Sequence, residues 1–159
     1  MDFVDGSVGR MHRRACGVDQ VGRTRAVGKG GGTEAEVAGK WLKDNKLQPD
    51  CVLCSPSRRT RETLEAVVGV TGFFEHKLED KVYEATPGTL IGLVDDRKDV
   101  ERLMIVGHNP GLERLLALLN TGETSDYRGM PPAGIAVLQF PKDASIEPGV
   151  ASLSAFWWP

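Results

Sequence analysis

Apolar positions along the chain change their spacing from block to block, and each change marks an element. Thr33-Glu34-Ala35-Glu36 has the form in which a threonine hydroxyl accepts from the N–H three residues on and the glutamate reaches back. Val37, Trp41 and Leu42 then share a helical face, which predicts a helix of about three turns. Leu47 to Asp50 breaks it. Cys51-Val52-Leu53-Cys54 is a short apolar run of buried-strand length, ended by Ser55-Pro56. Ser57 is placed to cap a second helix through about Val68, with Leu64 and Val68 four apart. Lys77 to Tyr83 reads as a short connection or edge strand. Thr86-Pro87 pairs an N-cap with proline in the first turn, ahead of Leu90, Ile91 and Val94. Leu103 to Val106 is a second apolar strand. Gly107-His108-Asn109-Pro110-Gly111 follows it, with Asn109 as N-cap and Pro110 at N1, before Leu112, Leu115, Leu116 and Leu119 at helical spacing. Ile135–Phe140 and Val150–Trp157 are strands close enough in sequence to pair antiparallel.

Strands alternating with helices predict an α/β sandwich with a largely parallel sheet. Residues 1–32 do not join this pattern. They hold eight of the 19 glycines, no leucine or isoleucine, and six Lys/Arg against three Asp. No period of strand or helix survives there. The chain therefore divides into an atypical Gly/Arg-rich leader, 1–32, and a patterned domain, 33–159. The leader's net charge of +3 is masked by the rest of the chain in a total of −2.

That total gives no general attraction to nucleic acid or membrane. With 159 residues and 40% hydrophobic composition, one folded domain is expected and wholesale disorder excluded. No apolar run reaches the ~18 residues of a spanning helix, and no signal-peptide pattern opens the chain. Three cysteines are too few for a disulfide framework, so a cytoplasmic location is the expectation.

Two turns carry candidate chemistry, both at carboxyl ends of strands, where open α/β sheets bind ligands. Arg58, Arg59 and Arg61 crowd the start of the second helix, where cations oppose the helix dipole. A bound anion would repair the mismatch, and free helix N–H groups would add donors. The alternative is a solvated basic face in which Arg58 and Arg61 pair with Glu62 or Glu65. His108 sits in the second turn, between a glycine and a proline-capped helix, where it could donate to a phosphate oxygen. Cys51-x-x-Cys54 has redox spacing, but three residues apart in a strand the thiols face opposite ways, so core packing is expected. His76 reads as surface, and Trp157-Trp158 as core cover.

Ser55-Pro56-Ser57-Arg58-Arg59-Thr60-Arg61-Glu62-Thr63 resembles the S-x-x-x-R-[AT]-x-x-T block of the histidine phosphatase superfamily. Leu103 to Gly111 resembles its strand followed by G-H-N-P-G, and Tyr83-Glu84-Ala85-Thr86-Pro87 falls where that family carries an acidic residue before a helix. The short length is similar to the phosphohistidine phosphatase (SixA-like) branch of these phosphoglycerate mutase-like proteins. The resemblance covers about residues 33–159. It implies a three-layer α/β/α sandwich with a mostly parallel central sheet, and a hydrolase acting through a phosphohistidine intermediate. Substrates would be a phosphorylated protein of the histidine-phosphotransfer type or a small phosphomonoester. On the same grounds Arg59 would clamp phosphate, His108 would stabilise the transferring group and Glu84 would protonate the leaving group. The Asn109 backbone N–H would face the phosphate, and neither metal nor cofactor is implied. One departure is plain. The superfamily's first strand ends in Arg-His-[Gly/Ala], whose histidine is the nucleophile. The corresponding text here, Gly9-Arg10-Met11-His12-Arg13-Arg14-Ala15, has no adjacent Arg-His pair and no apolar run before it. His12 is the one histidine available there. Two origins are open for the leader, an out-of-frame reading joined to an in-frame body or divergence to a phosphate-binding protein without the nucleophile.

Overall fold

The computed structural model describes residues 11–19 as backbone, and residues 33–72, 75–97, 99–124, 129–131, 133–141 and 144–159. Its elements run β1 (Met11–Asp19), α1 (Glu34–Asp44), β2 (Cys51–Cys54), α2 (Arg58–Thr71), β3 (Glu75–Leu78), a 3₁₀ turn (Asp80–Val82), α3 (Pro87–Asp95), β4 (Leu103–Gly107), α4 (Gly111–Thr121), β5 (Ile135–Pro141) and β6 (Ser152–Trp157). The strands form one sheet in the order β3-β2-β4-β1-β5-β6. β3, β2, β4 and β1 are parallel, and β5 and β6 extend the sheet antiparallel.

Alternation along the strands builds two cores. Cys51, Leu53, Leu103 and Ile105 pack with Leu90, Leu93 and Val94 of α3 and Leu112, Leu115 and Leu119 of α4. Val52, Cys54, Met104 and Val106 face the other way, onto Ala35, Ala38 and Leu42 of α1 and Leu64 and Val67 of α2. Both faces of β2 and β4 are thereby covered, which is why those strands are uniformly apolar. Each buried Leu, Ile or Val contributes about 1.5–3 kcal/mol, so packing holds these short helices more than their intrinsic propensity does. The result is the α/β/α sandwich.

Most boundaries agree with the pattern. The Thr33 side chain accepts from the Glu36 N–H, Ser57 from Thr60 and Thr86 from Thr89. Three expectations need correction. The buried face of α1 is Ala35, Ala38, Gly39 and Leu42, with Val37 and Trp41 only half-buried. Small residues are needed there because α1 and α2 nearly touch: a Cβ on Gly39 would stand 3.2 Å from the Val67 backbone. Helix α4 begins at Gly111, one residue later than expected, with Pro110 rather than Asn109 at the cap. Of the terminal pair, Trp157 covers the core by stacking on Trp41, with centroids 5.4 Å apart, whereas Trp158 is exposed.

The first strand is the largest difference. Met11–Asp19 occupies the middle of the sheet, parallel to β4 and antiparallel to β5. Its side-chain sequence has no strand period, but a ladder between two formed neighbours is made by main-chain groups and does not need one. Residues 1–10 and 20–32, with the boundary at Gly32, lie outside the described residues.

Candidate functional site

β2 and β4 end side by side, Cys54 opposite Val106, and each runs directly into a turn and a helix start. The turn 55–57 leads to α2, and the turn 108–110 leads to α4. Two helix N-termini therefore converge at one edge of the sheet. A third wall comes from residues 83–87, between the 3₁₀ turn and α3. Together they enclose a cavity of about 660 Å³ lined by Arg59, Glu84, His108 and Asn109, with Ser57, Arg58, Tyr83 and Arg114 beside them. The four site residues expected from sequence thus share one cavity.

Close backbone approach fixes the third wall. A Cβ on Gly111 would lie 2.6 Å from the Ala85 carbonyl oxygen, and one on Gly107 2.9 Å from Val82 Cγ1. Glycine at both positions lets the 82–85 segment press against the mouth of β4. Glu84 is held there at φ 50°, a conformation that costs a non-glycine residue roughly 1–2 kcal/mol.

His108 is the most constrained side chain of the site. Its Nε2 lies 2.7 Å from the hydroxyl of Ser55, a serine with no exposed surface. Tyr83 meets the imidazole edge-on, at 5.5 Å between ring centres. Burial holds the His108 pKa below the ordinary histidine value; Glu84 pulls it upward and the Arg59 guanidinium pushes it down. Burial thus favours the neutral ring, which keeps one N–H to donate.

The arginines divide by role. Arg58 is largely spent on Glu62, at 2.8 Å on the exposed helix face, so the solvated-face alternative holds for that residue. Arg59 faces the cavity and, among the described residues, has no carboxylate within salt-bridge distance. An arginine at a helix N-terminus with no carboxylate in salt-bridge contact, beside a histidine donor, is a place for an anion. Asn109 contributes differently. Its Nδ2–H donates to the Met130 carbonyl at 2.7 Å, and its Oδ1 accepts from the Glu113 N–H at 3.2 Å. The side chain braces the turn.

Sequence reasoning missed Ser55, Tyr83 and Arg114. The signal for Ser55 was its position, a polar residue directly after a buried strand. Tyr83 and Arg114 had none, because only the approach of separate segments brings them to the cavity.

His12 is placed differently from what a nucleophile requires. In β1 it pairs with Phe140, whereas Asp19 pairs with Gly107 at the site end. Seven residues of strand at about 3.3 Å each put His12 about 23 Å from the cavity edge. Val18 and Asp19 stand beside the mouth of β4 instead. His76, on edge strand β3, is exposed, as expected. Cys51 and Cys54 are buried free thiols on opposite sheet faces, and burial pushes Cys54 up to about 11. Among the described residues no group of three or more His, Cys, Asp or Glu is arranged to hold a metal.

A scan of protein-family models finds no match for the chain. The sequence is 36% identical to the uncharacterized protein Rv1276c of Mycobacterium tuberculosis over 135 residues, covering 79% of this chain and 84% of that protein. The fold matches a SixA-type phosphohistidine phosphatase structure from Agrobacterium tumefaciens with a TM-score of 0.73 at 23% identity, over 93% of this chain and 98% of the other. It also matches the protein histidine phosphatase SixA complexed with tungstate, with a TM-score of 0.74 at 19% identity, over 91% and 96% of the two chains. At these identities the structural likeness is one of fold.

Proposed function

We propose that the chain, which belongs to one family with the mycobacterial protein Rv1276c, is a phosphatase of the SixA-like branch of the histidine phosphatase superfamily. Its substrate on this reading is a phosphohistidine on a protein of the histidine-phosphotransfer type, or a small phosphomonoester. The observation that carries the proposal is the meeting of Arg59 and His108 at two helix N-termini, with Glu84 across the cavity. Arg59 grips two phosphoryl oxygens with its planar fork. His108 donates to the oxygen on which charge builds during transfer. Glu84 gives its proton to the leaving group as the bond from phosphorus to that group breaks and the phosphoryl group passes to water, directly or by way of a phosphohistidine, and the Asn109 backbone N–H supports the bound phosphate. The described side chains offer no metal-binding cluster, and the roles proposed for Arg59, His108 and Glu84 call for none. No helix among the described residues is long and apolar enough to cross a membrane, and a cytoplasmic site of action is part of the proposal.

A second reading, a phosphate-binding or regulatory domain without turnover, is favoured by one observation. The site end of β1 carries Val18-Asp19 where the superfamily resemblance calls for Arg-His, and His12 lies at the opposite end. Incubation with a phosphorylated histidine-phosphotransfer protein, followed by acid and base treatment of the denatured chain, separates the two. An acid-labile, base-stable phosphoenzyme with release of inorganic phosphate supports the phosphatase. Phosphate binding that Arg59→Ala or His108→Ala abolishes, without phosphoenzyme or turnover, supports the binding domain. No binding and no turnover in the folded chain rejects both. The unit 1–32 is tested separately by translating the other two frames upstream of Thr33. An apolar strand ending in Arg-His in one of them identifies the leader as mis-framed, and its absence leaves divergence.

A further inference from the structure

Among the described residues Ser55 is the one buried polar side chain that touches His108, and its surroundings determine what it can do there. Its main chain is locked from both sides. The N–H donates to the Val106 carbonyl at 2.9 Å, and the carbonyl accepts from the Thr60 hydroxyl at 2.7 Å and the Cys54 thiol at 3.3 Å. The hydroxyl has therefore little freedom. Its oxygen accepts from the Ser57 N–H at 3.4 Å. Its proton then needs an acceptor, and among the described residues His108 Nε2 is the one within hydrogen-bond distance. A fully buried hydroxyl that gives up its proton to no acceptor is costly, so the bond runs from serine to histidine.

We propose that Ser55 is a positioning residue that holds His108 as the neutral Nδ1–H tautomer, so that Nδ1–H is the ring donor left for the phosphoryl group. Protonation of His108 would place a hydrogen on Nε2, reverse the bond and strand the serine proton in the core. Ser55 thus opposes the imidazolium from beneath the ring, in the same sense as burial. Among the described side chains, the charged and titratable groups around the cavity are Glu84 and Tyr83 from the 82–85 wall, Arg58 and Arg59 from α2 and Arg114 from the first turn of α4. Of these only Glu84 favours the cation. The phosphate-facing part of the inference rests on the proposed function, but the tautomer does not.

Long-range ¹H–¹⁵N correlation of the imidazoles in ¹⁵N-labelled protein at pH 7.5 tests it, with the His108 signal identified by its loss in His108→Gln. The expected result is an Nδ1–H pattern for His108 in the unsubstituted protein. In Ser55→Ala the Nε2–H form appears, and the titration midpoint of His108 rises by about half to one pH unit. Ser55→Cys, which keeps the volume and a weak donor, falls between the two. An Nε2–H pattern in the unsubstituted protein overturns the proposal, as does a Ser55→Ala spectrum and midpoint unchanged from it. Adding inorganic phosphate separates this inference from the functional one. The expected tautomer with no response of His108 to phosphate upholds the role of Ser55 and rejects the phosphate site.

Discussion

Gly111→Ala tests whether the wall carrying Glu84 is set by close backbone packing. The new Cβ would stand 2.6 Å from the Ala85 carbonyl oxygen, and contacts below 3.0 Å are essentially never made. The first turn of α4 and the 82–85 segment must therefore separate by at least about 0.4 Å, and neither partner is a flexible side chain. Forced overpacking of this kind costs about 1–3 kcal/mol. Against it, replacing glycine stabilises by about 0.4–1 kcal/mol through the unfolded chain. The net is a loss of about 1–2 kcal/mol, or roughly 2–8 °C in melting temperature for a chain of this size. Gly92→Ala is the internal control, because the same Cβ in α3 meets nothing within 4 Å. It should gain about 0.4–1 kcal/mol, so the two variants should melt on opposite sides of the parent. Calorimetric melts of all three proteins, with phosphate affinity measured alongside, make the comparison. Gly111→Ala should also weaken phosphate binding, since Ala85 adjoins Glu84. A Gly111→Ala protein that melts with Gly92→Ala would refute the close approach and the placement of Glu84 built on it.

Other outcomes follow from single features. Cys51 and Cys54 should resist iodoacetamide at pH 8 in the native protein and react fully in denaturant. Cys54, pushed up to about 11 by burial, has about a thousandth of its thiol ionised at that pH. Rapid native alkylation of either, located by mass spectrometry, would contradict the two-core sheet. Trp41 and Trp157 stack within 15° of parallel, so a double-mutant cycle to alanine should show a coupling of about 0.5–1.5 kcal/mol in thermal stability. Strictly additive losses would remove the stack. At Glu84, held at φ 50°, Glu84→Gly should be more stable than Glu84→Ala by about 1 kcal/mol, the reverse of the usual order, while both lose dephosphorylation activity. An alanine variant as stable as the glycine one would show that the left-handed backbone is not held.

Local chemistry made much of the fold legible. The caps at Thr33, Ser57 and Thr86 act within three residues of themselves, and the apolar runs of β2 and β4 leave no choice but burial on both faces. The same holds for Arg59 and His108, because a strand end leading into a helix start is written in consecutive residues. Glu84 and Asn109 were also found in advance, but the brace that the Asn109 side chain forms was not. Asn109 turns its amide to the Met130 carbonyl, a partner 21 positions away, while its Oδ1 takes the Glu113 N–H in the first turn of α4.

By itself, then, the sequence determined an α/β alternation, the two turns at carboxyl ends of strands and a helix start crowded with arginines. These follow from spacing and from side chains acting on their neighbours. Only the tertiary structure decided that Met11–Asp19 fills the centre of the sheet and that His12 lies at its far end. It alone brought Ser55 beneath His108 and Tyr83 and Arg114 to the cavity. The physical reason is common to all of these. A ladder between strands is made of main-chain groups that carry no sequence signature, and a contact across 53 positions leaves no trace in the order of residues beside either partner.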